Sequence, residues 1–410
     1  MKNFIVLICH IYFILNACSN QHNYSVIKVD NQLSNNKEDD SDIELRDSDI
    51  IYVLDFEKSL KSFNEDTFTI NSIAKRISFI PLETSDTVLL YNDVFKTEKN
   101  NDGYMISSSS FFTHFHNIMF FDSTGHFKNY LLKRGQGPKE LPYISEWSYN
   151  HNLRLLLASS CYQIILHSFD NNINNKYNLI KFLSDACLLN DGTIVVLPSI
   201  FGKGDTITPY LLFLNQEGKM VGSICYPQKR DIAFDFPEGS KLAYVEKYGL
   251  YPDYSGDALF KEMFNDTVYR ISSIDNIKPF IVLHKGSLTP TLKDVTNPIT
   301  AVQKVKLSQI LNTKKYFIIN YEYRNNIYTS IWNKKTKTLI ANTIHPKRLS
   351  KVFFFNGYTN FRTDEGKIIK IRISSYSDKK LFCLLDADQA MDFLQEIKED
   401  DNPILMIIEI

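Results

Sequence analysis

The sequence has little glycine, no long apolar run and no surplus of charge. Only 15 of its 410 residues are glycine, so most turns must depend on asparagine and aspartate, which tolerate the left-handed backbone region. The formal net charge is −1 and no long basic run occurs, which argues against nucleic acid as a partner. Hydrophobic residues still make up 44% of the chain, so it can bury a substantial core.

Recognisable catalytic and cofactor signatures are also missing. The sequence contains no Gly-x-Ser-x-Gly elbow, no His-Glu-x-x-His zinc motif and no Walker loop. Gly135-x-Gly137-x-x-Glu140 lacks the third glycine and the following helix of a dinucleotide fingerprint. We therefore expect no cofactor and favour a role without catalysis. An enzyme that assembles its site from scattered loops remains the alternative.

Residues 1–17 have the pattern of a lipoprotein signal peptide. Lys2 precedes a short apolar stretch, Phe4–Leu15, which is shorter than the roughly 20 residues that a spanning helix needs. Leu15-Asn16-Ala17-Cys18 resembles the lipobox at which a bacterial lipoprotein is cleaved, so Cys18 is predicted to carry lipid. An uncleaved anchor or a plain secretory signal would also fit. The predicted address is the cell envelope, with Ser19 compatible with the outer membrane and the membrane face left open.

Export would permit disulfides, but the remaining cysteines do not suggest a disulfide framework. They are widely spaced, form no Cys-x-x-Cys pair and mostly adjoin apolar residues. We predict buried free thiols that act as small hydrophobic groups at Cys161, Cys187, Cys225 and Cys383.

Residues 18–49 are polar and acidic, and they contain too few apolar residues to fold alone. This segment is predicted to be a tether, and residues 50–410 to be the folded domain. From Ile50 onward the sequence is a series of short β-type runs separated by turns.

A weak internal repeat runs through the folded part. Asn101-Asp102-Gly103 and Asn190-Asp191-Gly192 each open an apolar run, and the next run in each copy ends in Asp122-x-x-Gly125 or Asn215-x-x-Gly218. With a copy between them near His151, the period is about 45 residues, as for one four-stranded propeller blade. Later copies are degenerate, near residues 265–271, 316–332 and 364–369. The repeat alone allows six to eight blades.

Residues 133–140, Lys-Arg-Gly-Gln-Gly-Pro-Lys-Glu, predict a rigid crossover between blades, because glycine permits positive φ and proline restricts it. If Gly137 adopts positive φ, Gly137→Ala should cost about 1 kcal/mol or more through backbone strain. Arg134 is a candidate anion ligand in the central channel. The alternative is that the glycines only turn the chain and that Glu140 accepts backbone hydrogen bonds of the next blade.

Near the C-terminus, apolar spacing predicts a single helix over Asp386–Ile397, capped by Asp386 or Asp388. The almost wholly apolar run Ile404–Ile410 is typical of a strand buried on both faces. Since propellers commonly close by pairing terminal strands, we expect it in the last blade beside Ile51–Leu54 or Ile77–Leu82.

These motifs occur in an order that resembles one family. The order comprises Ile80-Pro81-Leu82-Glu83-Thr84, Phe121-Asp122-x-x-Gly125, Arg134–Glu140, Phe264–Tyr269 and Asn402-Pro403. It is similar to the six-bladed β-propeller lipoproteins of Gram-negative bacteria, which are relatives of the NHL-repeat propellers. Over about residues 50–410, the resemblance implies an all-β fold of six four-stranded antiparallel blades with one short C-terminal helix. Long insertions are then expected at 227–262 and 284–312.

Two residue groups are candidates for a site. Tyrosines crowd one predicted insertion, where mobile aromatic rings would suit a glycan or peptide ligand, although packing onto their own blade explains them equally well. His114 and His116 would share one face of a strand, but no third ligand is evident, so we expect loop histidines and no metal site. The candidate binding residues are therefore Arg134, Tyr244, Tyr248, Tyr251 and Tyr254.

The function predicted from the sequence is that of a lipid-anchored envelope propeller that binds or scaffolds a glycan, peptide or envelope protein. We expect a monomer that contacts the membrane through its lipid and has no nucleic acid partner. An exported hydrolase or lyase with its active site in the propeller channel is the alternative. Convergent His, Asp, Glu or Arg side chains in a funnel would favour the enzyme, and an aromatic rim without such a cluster would favour binding.

Overall fold

The computed structural model describes residues 50–61, 67–86, 88–90, 94–109, 117–179, 183–198, 209–225, 249–262, 265–291, 294, 297–346, 357–394 and 397–410. Several sequence predictions therefore lie outside the described residues, namely the signal peptide, the tether, Cys18, His114, His116, Tyr244 and Tyr248.

Strands dominate the described residues. In chain order they are β1 (Tyr52–Asp55), β2 (Arg76–Pro81), β3 (Val94–Lys99), β4 (Gly103–Ser109), β5 (Asn117–Asp122), β6 (Phe127–Arg134), β7 (Glu140–Leu141), β8 (Glu146–Asn150), β9 (Leu155–Ser160), β10 (Gln163–Ser168), β11 (Ile173–Asn178), β12 (Leu183–Leu188), β13 (Ile194–Pro198), β14 (Pro209–Leu214), β15 (Met220–Cys225), β16 (Gly249–Pro252), β17 (Ala258–Lys261), β18 (Thr267–Ser273), β19 (Asn276–His284), β20 (Lys306–Asn312), β21 (Tyr316–Tyr323), β22 (Asn326–Asn333), β23 (Thr338–Pro346), β24 (Thr359–Arg362), β25 (Ile368–Ile371), β26 (Ile373–Ser377), β27 (Lys380–Leu385) and β28 (Ile404–Glu409).

The strands form a six-bladed β-propeller of four-stranded antiparallel blades, as predicted. Blades 1, 2 and 3 are β3–β6, β8–β11 and β12–β15, with the two-residue β7 added in parallel to β6. Blade 4 is β16–β19 with β1 added in parallel to β19, and blade 5 is β20–β23. Blade 6 combines β26–β28 with the N-terminal β2, while β24 and β25 form a separate hairpin.

Three short α-helices occur among the described residues: α1 (Phe56–Lys61), α2 (Pro298–Ala301) and α3 (Ala387–Ala390). The single helix predicted over Asp386–Ile397 is therefore too long, and α1 and α2 were missed. Both are shorter than the stretch over which helical periodicity can be recognised. Asp386 occupies the N-cap position of α3 without a side-chain capping bond. Phe393 and Leu394 follow the helix and pack against the hydrophobic core.

The hydrophobic core is divided among the interfaces between blades. Six apolar clusters can be distinguished among the described residues, one between each pair of neighbouring blades. Strand β28 shows the cause: alternate side chains face opposite blades, with Met406 and Ile408 packing towards blade 5 and Leu405 and Ile407 towards blade 1. Such a strand needs apolar residues at nearly every position.

The ring closes as predicted through Ile77–Leu82, one of the two N-terminal segments expected to lie beside Ile404–Ile410. β28 pairs antiparallel with β2, with Ile77 opposite Ile408 and Phe79 opposite Met406. The other candidate, Ile51–Leu54, instead supplies β1 of blade 4.

An N-terminal segment, which we call the strap, crosses three blades in succession. It consists of the described residues 50–61 and 67–81. After β1, the Phe56 ring of α1 packs edge-on against Tyr321 of blade 5 at 5.0 Å. Asn71 and Arg362 then exchange two hydrogen bonds of 2.9 Å, which connect the strap to β24. The strap ends as β2 in blade 6, so one short segment connects blades 4, 5 and 6.

The crossover at residues 133–140 differs from its prediction, because Gly137 does not adopt positive φ. The Glu140 carboxylate folds back and accepts a 2.9 Å hydrogen bond from the Gly137 amide, within its own loop rather than from the next blade. A Cβ on Gly135 would lie 1.9 Å from Glu140 Oε2. Close approach of this carboxylate, and not left-handed backbone, explains the glycine at position 135.

Three of the four predicted cysteines form no disulfide, and the side chain of the fourth, Cys225, lies outside what the structure describes. Cys187 and Cys383 are buried free thiols, as predicted, and Cys161 is a half-buried one. Burial raises the pKa of Cys187 to about 12, so this thiol stays protonated at neutral pH.

The innermost strands of the blades are β3, β8, β12, β16, β20 and β26, and their free edges are connected by side chains. Each connection is a hydrogen bond between a side chain of one blade and a backbone group of its neighbour. The bonds are Lys96 to the Trp147 carbonyl (blades 1 and 2), the Leu250 amide to Asp185 (blades 4 and 3), Gln309 to the Ser374 carbonyl (blades 5 and 6), and Ser375 to the Thr97 carbonyl (blades 6 and 1). Backbone groups that would otherwise be unpaired around the channel are thereby satisfied.

Antiparallel pairing places two kinds of short turn at the same end of the ring, here called the short-turn face. These turns join the first strand to the second and the third to the fourth in a blade. In blade 2 they are residues 151–154 and 169–172, and Arg154 connects them through a 2.7 Å bond to Asp170. The turns between first and second strands surround the end of the central channel.

Candidate functional site

Turns or strand ends from all six blades meet where the channel opens on the short-turn face. We call this region the mouth. Its contacts between blades are Lys99 with Asp378, His151 with Ser377, Asn152 with Asn190, Asn190 with the Ser255 carbonyl, Lys314 with Tyr376, and Tyr254 with Tyr376. His151 and Tyr254 each contact blade 6 across an intervening blade, so side chains narrow the mouth.

Two tyrosines form the aromatic part of the mouth. Tyr254 lies in the first turn of blade 4 and its side chain is 37% exposed. Its ring centroid is 6.3 Å from that of Tyr376 of blade 6, at an interplanar angle of 76°. The Lys334 ammonium lies 4.9 Å from the centroid of the Tyr254 ring, a cation–π distance. The Tyr376 hydroxyl accepts a 3.3 Å bond from the Lys314 amide, so the rings are connected to blade 5.

Asp253 determines the position of the turn that carries Tyr254. Its backbone amide bonds to the Asp257 carbonyl at 3.0 Å, and Gly256 closes the turn with φ of 83°. Its buried carboxylate accepts a 2.7 Å bond from Asn312 of blade 5 and lies 3.0 Å from Arg270 Nε. Two blades therefore hold the base of this turn, while Tyr254 stays partly exposed beside Lys334 and Tyr376.

A second group in the mouth is a buried carboxyl connected to a partly exposed imidazole. Glu98, at the end of β3, is 6% exposed and lies close enough to Ser377 for that hydroxyl to lower its pKa. The Ser377 Oγ lies 2.6 Å from Nε2 of His151, a residue that is exposed as a whole but whose ring is partly buried at this contact. Burial raises the pKa of Glu98 to about 7, against the opposing effects of Lys96 and Ser377. Burial also lowers the pKa of His151, and nearby Asp378 opposes that change.

Ser377 lies beside both Glu98 and His151, so its hydroxyl can connect the two groups in a proton path whose direction can reverse. With Glu98 ionised, the Ser377 hydroxyl donates to the carboxylate and accepts from the His151 ring. With Glu98 protonated, the carboxyl donates to Ser377, which then donates to the imidazole. An acid and a base with altered pKa values at the end of a channel are a feature of functional sites.

The raised pKa of Glu98 predicts a pH-dependent stability. A carboxyl whose pKa is higher in the folded state stabilises the fold most below its ordinary value of 4.5, and this stability is lost as the pH rises through about 7. Glu98→Gln should remove that loss. Between pH 4.5 and pH 8 the free energy of unfolding of the wild type should fall relative to the variant by about 3 kcal/mol.

Denaturant unfolding at several pH values measures this difference. The exposed Glu217 supplies the control variant Glu217→Gln, whose profile should run parallel to that of the wild type. Parallel profiles for Glu98→Gln as well would contradict the assignment. The lowered pKa of His151 has the opposite effect, because it makes the fold less stable as the pH falls. All three proteins contain His151, so this effect is the same in each profile.

The structure does not bring the predicted binding residues together. Tyr254 lies at the mouth, but Tyr251 is buried in the core between blades 4 and 5. Arg134 is exposed at the end of β6, the fourth strand from the channel, and its Nε donates to the Pro142 carbonyl at 3.1 Å. Of the four tyrosines predicted as ligands, Tyr254 alone is a described residue of the mouth.

Sequence reasoning missed Glu98, His151 and Ser377 because they are separated by long stretches of chain. One signal was present, because each of these three residues lies at or next to the end of the first strand of its blade. The sequence analysis had already identified the turns that follow the first strands of blades 1, 2 and 3. Combining those positions around a ring would have indicated the mouth.

Among the residues that the structure describes, no group of three or more His, Cys, Asp or Glu side chains is placed to hold a metal ion. No helix in the described part of the chain is long and apolar enough to cross a membrane.

Comparison with known proteins gives a family and a set of structural relatives. The model of a family described as a domain of unknown function, DUF4934, matches residues 51–409. No curated protein matches the sequence.

Among solved structures, BF0058 from Bacteroides fragilis, described as a candidate exported protein, has a TM-score of 0.61 at 17% identity, over 88% of this chain and 99% of its own. A member of the duf4221 family from Bacteroides vulgatus has a TM-score of 0.47 at 13% identity, over 82% and 96%. Virginiamycin B lyase from Staphylococcus aureus has a TM-score of 0.40 at 11% identity, over 82% and 99%.

Proposed function

We propose that this chain, which belongs to the DUF4934 family of domains of unknown function, is a cell-envelope binding module. Its ligand, a glycan, peptide or protein segment, binds at the mouth on the short-turn face. The ring supplies a rigid support, because side chains bond the inner strands of neighbouring blades to one another.

The exposed ring of Tyr254 is the observation that carries this proposal. It lies in a short turn whose base is held by buried Asp253, and it stands edge-to-face with Tyr376 from another blade. Tyrosine rings offer a large contact area together with a polar hydroxyl, at a low cost in side-chain entropy. A rim of rings with polar neighbours such as Asn152 suits sugars and extended peptides.

Substitution of Tyr254 tests the binding site. Full-length protein in detergent is screened against arrays of glycans and peptides, and the strongest ligand is titrated by calorimetry. Tyr254→Ala should weaken binding by tenfold or more, which corresponds to about 1.4 kcal/mol. The matched control is Tyr162→Ala: this tyrosine is 53% exposed but lies in the turn between β9 and β10, at the opposite end of the ring. Equal affinities for both variants would rule the mouth out.

The envelope address rests on the lipobox-like sequence Leu15-Asn16-Ala17-Cys18. In this proposal Cys18 becomes the acylated first residue of the mature protein, and residues 19–49 separate the propeller from the membrane. Cys18→Ala should move the protein from the detergent phase to a soluble or unprocessed pool in phase partitioning, and should abolish labelling with a fatty-acid analogue. Unchanged partitioning with an intact N-terminus at Met1 would refute the anchor.

A second candidate function is supported by the path from Glu98 through Ser377 to His151. A buried acid with a pKa of about 7 and a partly exposed imidazole are suited to proton transfer, as a hydrolase or lyase requires. The same ligands decide between the two functions. Release of shorter or unsaturated products, with a rate that falls at least a hundredfold in His151→Gln, would favour the enzyme. Stable binding without turnover favours the binding module.

A further inference from the structure

Exposed lysines are concentrated on one sector of the short-turn face, in the turns of blades 5 and 6. We call them the lysine cluster. They come from four separate segments of the chain, and all are exposed: Lys75, Lys314, Lys315, Lys335, Lys337 and Lys379.

Backbone hydrogen bonds hold these segments next to one another. The Lys334 amide bonds to the Lys315 carbonyl at 2.9 Å, which places the 334–337 turn beside the 313–315 turn. The Lys75 amide bonds to the Glu409 carbonyl at 2.7 Å, and the Ile410 amide bonds to the Lys379 carbonyl at 3.4 Å. The cluster is therefore built into the fold and does not depend on side-chain rotamers.

The positive charges of the cluster are balanced only in part by local acidic groups. Lys75 Nζ donates a 3.2 Å bond to the oxygen of Ile410, and among the described residues no Asp or Glu side chain forms an ion pair with any of the six lysines. The neighbouring Asp378 is already paired with Lys99 at 3.0 Å and with Lys380 at 4.0 Å. Glu409 lies opposite Arg76 on one side of its strand and opposite Lys380 on the other. A chain with a net charge of −1 thus carries a strongly positive sector.

Like charges approach closely inside the cluster. Burial and contacts with Lys75 and Lys314 lower the pKa of Lys315. Repulsion of this kind costs stability, and a bound anion would relieve it. Lysine ammonium groups act as point charges towards anionic groups such as carboxylates and sulfates.

The cluster directly adjoins the two tyrosines of the mouth. The Lys314 amide donates to the Tyr376 hydroxyl, and Lys334, which precedes Lys335, lies against the ring of Tyr254. Aromatic rings beside cations are suited to a ligand that presents flat apolar faces and negative charges on one framework. A glycan with carboxylate or sulfate groups has both properties.

We propose that the mouth binds an acidic glycan, with its sugar rings on Tyr254 and Tyr376 and its carboxylates or sulfates on the lysine cluster. This inference rests on the proposed binding function and specifies the ligand class.

The test compares acidic probes with neutral probes of the same backbone. Full-length protein in detergent is titrated with oligogalacturonate and its methyl ester, and with a sulfated heparin oligosaccharide and its desulfated form. At low salt at least one acidic probe should bind tenfold or more tightly than its neutral partner. Raising the salt to about 0.5 M should remove most of that preference, since exposed charges are then screened.

Charge reversal locates the preference. Lys314→Glu/Lys315→Glu should abolish the acidic preference, whereas the control Lys133→Glu/Lys139→Glu changes two exposed lysines of the blade 1–2 crossover and should leave it intact. Melting curves of both double variants confirm that they fold. Equal binding of acidic and neutral probes, a preference that survives in the first variant, or equally tight binding of single-stranded DNA would overturn the acidic-glycan inference. Tyr254-dependent binding of a neutral probe would in that case still support the proposed function.

Discussion

Deletion of residues 404–410 is expected to abolish soluble folding of the propeller. Strand β28 lies between β27 and β2 in blade 6, so its loss leaves two edges unpaired. Residues 404–410 contain six buried apolar side chains, five in β28 and one just after it: Ile404, Leu405, Met406, Ile407, Ile408 and Ile410. At about 1.5–3 kcal/mol for each buried side chain, their combined loss matches or exceeds the ~5–15 kcal/mol by which a typical domain is stable.

Expression followed by fractionation and a melting curve measures this effect. The matched control is removal of residues 19–45, which lie outside the described residues and should leave the melting temperature unchanged. A 404–410 deletion that stays soluble and melts at the wild-type temperature would refute ring closure by this strand.

Asp253→Asn is expected to cost about 3 kcal/mol or more of folding free energy, because it removes a buried charge from its partner. The Asp253 side chain is fully buried, and the Arg270 guanidinium beside it is 6% exposed and lies 3.6 Å from the centroid of the Phe280 ring. The variant leaves that guanidinium without this carboxylate. Since Asp253 also begins the turn of Tyr254, ligand binding at the mouth should weaken as well.

Guanidinium chloride unfolding of Asp253→Asn measures the cost. Asp191→Asn is the control: it makes the same substitution in the equivalent turn of blade 3, where the aspartate is exposed, and should stay within about 0.5 kcal/mol of the wild type. The double variant Asp253→Asn/Arg270→Met should recover part of the loss, since an apolar pair can replace a buried ion pair. A similar loss of folding free energy in Asp253→Asn and Asp191→Asn would contradict a stabilising role for the buried pair of Asp253 and Arg270.

The fold could be predicted to the level of blades because its local signals are strong. Asn190-Asp191-Gly192 is the turn between β12 and β13, and its glycine has φ of 85°, so the residue type reports the backbone directly. The repeat pattern located the turns wrongly in later blades, where other residues form the turn between the first and second strands. Asp364–Gly366 joins β24 to β25 outside the four-stranded blades. Asn265 precedes the third strand of blade 4, whereas the equivalent turn of that blade is Asp253–Asp257.

The candidate site could be predicted only in part, because it depends on proximity that the sequence does not encode locally. Tyr254 was recognised as an unusual aromatic residue in a predicted insertion. Its partner Tyr376 and the acid–base path of Glu98 and His151 are brought together only when the ring closes. The lysine cluster escaped notice for the same reason, since its members come from four turns and the chain as a whole is nearly neutral.

The strap has a consequence for how the chain is made. Synthesis proceeds from the N-terminus, so the strap is among the first folded-domain residues to be released. Its partners come later: β1 pairs with β19 of blade 4, and β2 pairs with β28 at a separation of roughly 330 residues. The early blades can assemble from neighbouring hairpins while β1 and β2 stay without their partners. The propeller therefore closes only after β28 is available, and until then β2 is an apolar N-terminal strand that needs protection from aggregation.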